Sequence, residues 1–204
     1  AISLSLQQGP IMTVSAYLND AIDVLRATVA SQVLDDATEA AITALIAAVR
    51  AGKPILVCGN GGSASDAMHI AGELVGRFLK ERKAIKCVCL SADNAVITAI
   101  GNDYGYDRIF ARQVEAFAEP GGILWGLSTS GNSPNVLAAF ETAKAAGMTT
   151  IAMTGEGGGK LAPLVDMLIA VPSKFTPAIQ QTHLCLYHYI CQKVEATVAA
   201  TDQS

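Results

Sequence analysis

The chain has 204 residues, 51% of them hydrophobic and 16% charged. That suits one domain with a core that needs no staples, and the glycine and proline content, without a period, excludes a collagen-like or low-complexity chain. Fourteen basic against eighteen acidic residues give a net charge of −4, so no broad nucleic-acid surface is expected.

Residues 1–12 read as an added leader or a disordered start, and no stretch of 18 apolar residues predicts a membrane span. Two helical patterns follow. In Val14–Val29, Tyr17, Leu18, Ala21, Ile22 and Leu25 recur at spacings of three and four. Asp35-Asp36 open a second pattern through Ala40, Ile42, Leu45, Ile46 and Val49, ending near Gly52. Residues 13–52 therefore form a helical pair, whose stripes pack on the sheet that follows or on a partner's helices.

From residue 53 to about 200 the pattern alternates. Strands are predicted at residues 55–58, 85–90, 122–127, 149–153 and 167–171. Helices are predicted at residues 64–80, 95–100 behind an Asp93 cap, 107–117, 134–146 and 177–199. Gly101-Asn102-Asp103-Tyr104-Gly105 reads as a loop. Strands alternating with helices imply an α/β fold with a parallel sheet covered on both faces. Ligands of such sheets bind beyond the carboxyl ends of the strands.

Both polar turns lie at those ends. Gly59-Asn60-Gly61-Gly62-Ser63 is a strand-to-helix turn whose amides can approach an anion. It serves tight packing equally well, and it matches neither a Walker motif nor GxGxxG, because Ala64 takes the last position. In Ser128-Thr129-Ser130-Gly131-Asn132-Ser133 four hydroxyls sit beside a helix start. One hydroxyl suffices for a cap, so four point to a phosphate monoester. Gly157-Gly158-Gly159 is given no role.

The histidines are His69, His183 and His188. His69 and Glu73 are i and i+4 on one helix face, a spacing that is also common on surfaces. On the last helix Gln180 and His188 lie about 80° apart around the axis, so they can border one cavity, and His183 can join them. His69, Glu73, Gln180 and His188 together can hold a divalent ion such as zinc, or move protons without one. The five cysteines are an odd number with apolar neighbours, and read as small buried hydrophobes of a reducing, cytoplasmic compartment.

These motifs in this order resemble the sugar isomerase (SIS) domain family, and within it the branch acting on seven-carbon sugar phosphates. The resembling stretches are Cys58–Ser63, Asp66–Leu74, Gly101–Gly105, Ser128–Ser133 and Ile179-Gln180-Gln181 leading to His183 and His188, within about residues 14–198. The resemblance implies a single domain with a five-stranded parallel sheet flanked by helices, assembled as a homotetramer with shared active sites. It implies phosphate on Ser128, Thr129, Ser130 and Ser133, with the sugar chain on Asn60, Ser63 and Asp93. It implies one Zn2+ per subunit on His69, Glu73, Gln180 and His188, with Gln180 also touching substrate. Glu73 is implied as base and His188 as acid in converting sedoheptulose 7-phosphate to D-glycero-D-manno-heptose 7-phosphate, the first step toward ADP-heptose and the lipopolysaccharide core. Glu73 thereby has two roles in tension: either it leaves the metal during turnover or the metal is partly structural. Residues 80–86 depart from the family pattern and are expected to be a surface segment.

Three other protein classes share parts of this pattern. A non-catalytic SIS regulator of replication initiation would lack Glu73 and His188, and this chain has both. An isomerase for another ketose phosphate, or a phosphosugar sensor, would share the phosphate turn but not the ordered His69–Glu73 and Gln180–His188 pairs. A dinucleotide oxidoreductase would need the missing glycine fingerprint.

Overall fold

Strands of this chain are short apolar runs, which only a sheet covered on both faces can bury. In the computed structural model, which describes residues 13–201, five of them form one parallel sheet in the order β2-β1-β3-β4-β5. These are β1 (Ile55–Gly59), β2 (Cys87–Cys89), β3 (Ile123–Ser128), β4 (Thr149–Thr154) and β5 (Met167–Ala170). The register sets Val57 beside Trp125 and Trp125 beside Ile151.

Alternate residues face opposite layers. Ile55, Val57, Trp125, Leu127, Ile151 and Met153 pack under α2 (Gln32–Arg50), α3 (Gly62–Val75) and α7 (Thr176–Thr201). Leu56, Cys58, Leu124 and Ala152 pack under α5 (Ala111–Phe117) and α6 (Pro134–Ala145). Gly126 lets α6 come close, because a Cβ there would lie 2.3 Å from the Phe140 ring. The remaining helices are α1 (Val14–Val29) and α4 (Asn94–Tyr104); short 3-10 turns lie at Tyr106–Arg108, between α4 and α5, and at Gly159–Leu164, between β4 and β5. No described helix is long and apolar enough to cross a membrane.

Several boundaries differ from expectation. Helix α2 starts at Gln32 because the Ser31 hydroxyl accepts from the Leu34 amide. Helix α3 stops at Val75 rather than residue 80, and Arg82 and Ile85 beyond it are buried, so residues 80–86 are not a plain surface segment. Helix α4 runs through Asn102 and Asp103, where a loop is expected, and stops at Gly105, whose φ of +88° suits glycine. The helix expected at residues 107–117 is split into a 3-10 turn and α5. Cys185 is exposed and Cys87 and Cys89 are only half-buried, so burial holds for Cys58 and Cys191 alone; all five are free thiols. Burial pushes the Cys191 thiol up to about 12 and Cys58 further, which leaves neither a nucleophile.

Helix α2 buries Leu34, Ala41, Ile42 and Leu45. Helix α1 does not bury its stripe within the chain: Val14, Leu18 and Ile22 remain exposed, while Tyr17 packs edge-on against Phe175 and accepts a hydrogen bond from Gln181. Residues 1–12, expected to be an added leader or a disordered start, lie outside the described residues.

Candidate active site

The polar turns stand at the carboxyl ends of β1 and β3. After β3 the Ser128 hydroxyl lies 3.1 Å from that of Ser133. Ser133 occupies the N-cap of α6, yet its hydroxyl makes no capping bond. An ordinary cap therefore does not account for these hydroxyls. The Asn132 amide donates to Ser130 Oγ at 3.1 Å, which folds the turn back on itself.

A second turn holds the first. The Thr129 carbonyl accepts from the Gly155 amide, Gly131 O accepts from Leu161 N at 3.0 Å, and Asn132 Oδ1 accepts from Lys160 N at 3.0 Å. A Cβ on Gly131, where φ is +64°, would lie 2.0 Å from Gly158 O. The 155–159 glycines, for which the sequence indicates no role, are thus the buttress of the serine turn. Behind them buried His183 lies 3.1 Å from the Thr154 carbonyl through Nε2, turned away from the other histidines. Burial lowers its pKa to about 4, so this imidazole is neutral and donates to that carbonyl.

The β1 turn is tied to the β3 turn by side chains. Asn60 and Asn135 exchange a pair of amide hydrogen bonds, each 2.8 Å, and the Tyr106 hydroxyl donates to Asn60 Oδ1 at 3.2 Å. Ser63 is buried in the first turn of α3, its amide donating to Asn60 O. Asp93 is exposed, and its Oδ1 accepts from the Ala95 and Val96 amides as the cap of α4.

Three of the four expected metal-binding residues converge. His69 Nε2 lies 2.9 Å from Glu73 Oε1 and 3.4 Å from His188 Nε2. One ligand atom from each of the three lies within 4.8 Å of the others. On the far side of His69, Nδ1 is 2.9 Å from the Tyr187 hydroxyl, which stands 3.5 Å from Asp66. With its one proton toward Asp66, Tyr187 accepts Nδ1–H and leaves His69 Nε2 a lone pair facing Glu73 and His188. His69 Nε2, Glu73 Oε1 and His188 Nε2 share one small space, which suits a bound cation when both nitrogens are unprotonated, with Tyr187 supporting His69 from its outer nitrogen. Burial lifts the Asp66 carboxyl, and burial followed by Asp66 itself holds the Tyr187 phenol well above its usual range.

The Gln180 amide lies over Gly62, where a Cβ would come within 2.5 Å of Nε2. Seven helical residues, about 10 Å of rise, separate Gly62 from His69. The cluster itself opens outward, with His69 exposed and Glu73 and His188 half-buried.

The chain is similar to known proteins in both sequence and structure. The SIS domain family model matches residues 16–155. A phosphoheptose isomerase of Burkholderia pseudomallei (strain 1710b) is 46% identical over 186 residues, covering 89% of this chain and 94% of that one. That of Rhodospirillum rubrum is 52% identical over 149 residues, covering 73% and 79%. The chain belongs to the phosphoheptose isomerases of the SIS-domain family. The structure of the phosphoheptose isomerase from Neisseria gonorrhoeae overlays with a TM-score of 0.84 at 38% identity, covering 90% of this chain and 97% of that one.

In this family member several site residues escape a reading by motif. Asn135 follows Pro134 directly and extends the serine turn by two positions, so its place was within reach. Tyr187 precedes His188 but points about 100° around the helix, and only the packing of α7 on α3 shows that it meets His69. Asp66 and Tyr106 act across elements distant in sequence, where spacing carries no signal.

Proposed function

We propose that this enzyme converts sedoheptulose 7-phosphate to D-glycero-D-manno-heptose 7-phosphate through an enediol, on the way to ADP-heptose and the lipopolysaccharide core. The observation that carries the reading is the convergence of Glu73, His69 and His188 on one point, in a chain that also builds an uncapped serine turn.

Ser128, Thr129, Ser130 and Ser133 bind the phosphate through hydroxyls and turn amides. Asn60 and Ser63 border the sugar chain, and Asp93 acts there through α4, whose start it fixes. Glu73 takes a proton from C1 of the open-chain ketose while His188 donates one to O2, which gives the enediol. The proton on O1 then passes to His188 as Glu73 returns a proton to C2, and the aldose forms. Tyr187 holds His69 and keeps its Nε2 turned toward the reacting oxygens.

His69, Glu73 and His188 would hold Zn2+, with Gln180 as the fourth ligand in the working assembly. Such an ion polarises substrate oxygens and offsets developing negative charge.

Gln180 lies over Gly62 and the cluster faces outward. With the uncovered stripe of α1, this supports a homotetramer whose active sites are completed between subunits. The 13–52 helical pair would supply part of that interface and residues 53–200 the catalytic domain.

Phosphorus and proton NMR of sedoheptulose 7-phosphate incubated with the enzyme tests the reaction. New heptose 7-phosphate signals, lost on chelation and restored by zinc, are expected. A zinc-loaded tetramer that leaves the substrate unchanged, while turning over a five- or six-carbon ketose phosphate, would transfer the activity to that substrate.

A further inference from the structure

Beyond Val75 the chain abandons the helix and returns to β2 as an irregular strap. The break falls at Gly76, the C-cap of α3, and the apolar pattern of Phe78 and Leu79 beyond it does not resume the helix. Past that glycine the freed amides go to a single buried carboxylate on another element. Glu195 of α7 is 1% exposed. Its Oε1 accepts from Phe78 N at 2.7 Å, and its Oε2 accepts from Leu79 N at 2.6 Å and Lys80 N at 2.8 Å. Three consecutive amides converging on one anion make a nest, here filled by the protein's own side chain.

Arg82 completes the arrangement. Its Nε lies 3.6 Å from Glu195 Oε1, and its side chain is fully buried. Its guanidinium donates to Glu73 O at 2.7 Å, Gly76 O at 3.0 Å and Lys83 O at 3.2 Å. The first two are carbonyls of the α3 C-terminus, which have no partner within the helix.

Both ends of this network reach the reacting groups. Glu195 follows His188 by seven residues and so shares its face of α7, about 10 Å further along. The strap it pins carries Phe78, whose ring lies 5.4 Å from the His188 ring. Arg82 grips the backbone of Glu73 itself.

We propose that Glu195 and Arg82 are a positioning pair, which fixes His188 through Phe78 and Glu73 through its carbonyl. Neither touches substrate. The proposal rests on the isomerase reading for its kinetic consequence and on the geometry alone for its effect on His188.

The test compares the full-length wild type with Glu195→Gln and Phe78→Leu. Glutamine keeps the shape of Glu195 but sets an NH2 group against amide donors. Glu195→Gln is expected to lower kcat about 10- to 100-fold, with KM for sedoheptulose 7-phosphate changed less than about threefold, because the serine turn lies on other elements. Phe78→Leu leaves Glu195 and Arg82 in place, and covers the case in which Glu195→Gln does not fold. It is expected to lower kcat about 3- to 10-fold. In the metal-free proteins both variants are expected to shift or broaden the nitrogen-15 signals of the His188 imidazole while those of His183 stay in place.

A folded variant with wild-type kcat and unmoved His188 signals would overturn the positioning role. Wild-type enzyme that does not turn over the substrate would overturn the reaction instead, and the His188 signals would still decide the pair.

Discussion

Gly131 offers a direct measure of how tightly the phosphate turn is held. An alanine there meets two penalties. Its φ of +64° is left-handed, which costs an L-residue about 1–2 kcal/mol. Its methyl would also lie 2.0 Å from Gly158 O, whereas carbon and oxygen meet at about 3.3 Å, so the two turns must part by about 1.3 Å. The obstacle is backbone and cannot swing aside. Overpacking of this kind costs about 1–3 kcal/mol, for a total of about 2–5 kcal/mol. At about 2–4 °C per kcal/mol, a loss near 3 kcal/mol lowers the melting temperature by about 6–12 °C. Gly157→Ala is the control, since φ there is +76° with nothing within 4 Å of a new Cβ. It carries only the conformational penalty of about 1–2 kcal/mol. Parting the turns also moves the serine hydroxyls, so KM should rise about tenfold or more in Gly131→Ala, equivalent to losing one hydrogen bond to a charged group. Calorimetric melting and initial rates on both variants are the assay. Equal melting temperatures with equal KM would refute the claim that the second glycine turn braces the first.

Glu73→Gln and His188→Ala should each lower turnover by about 100- to 10,000-fold while circular dichroism and light scattering report an intact oligomer; near-normal rates in either would remove that residue from proton transfer. Tyr187→Phe deletes the hydroxyl between His69 and Asp66, and should weaken zinc binding about 10- to 100-fold in a chelator competition; unchanged affinity would show that His69 needs no such support. His183 predicts a pH dependence. Its folded pKa, near 4, lies below the unfolded value of about 6.5, so the unfolded chain binds the extra proton between them. Its contribution is complete above pH 6.5 and falls away as pH drops toward 4, by about 3 kcal/mol in all. Denaturant unfolding across that range should show the slope, and His183→Gln, which still donates to Thr154 O, should flatten it.

The sheet, its parallel sense and the two polar turns were legible because short apolar runs alternating with helices admit few other arrangements. The pairing of His69 with Glu73 followed from helical spacing, and Asp93 as a cap followed from its place before an apolar run. Two kinds of error had physical causes. Where local pattern ran on, as through Phe78 and Leu79, the helix had already stopped at Gly76 and a distant carboxylate took the amides beyond it. Where the pattern hid a partner, as with Tyr187 against His69 or Asn60 against Asn135, the contact joins elements more than 70 residues apart. Gln180 fits the resemblance by position, and its amide rests on Gly62 at the start of α3.

The paired amides of Asn60 and Asn135 have a chemical polarity. Asn60 Oδ1 already receives Asn135 and Tyr106, and Asn135 Oδ1 receives Asn60 and the Val136 amide. Each oxygen has two lone pairs, so both are saturated, while each NH2 has given one of its two hydrogens to the pair. What each amide retains is a single N–H. The bridge between the two turns can therefore only donate. Asn135 is buried and Asn60 half-buried, so a ligand reaching the bridge would meet Asn60 as a donor, with a partner for a carbonyl, ether or phosphate oxygen and none for an ammonium group.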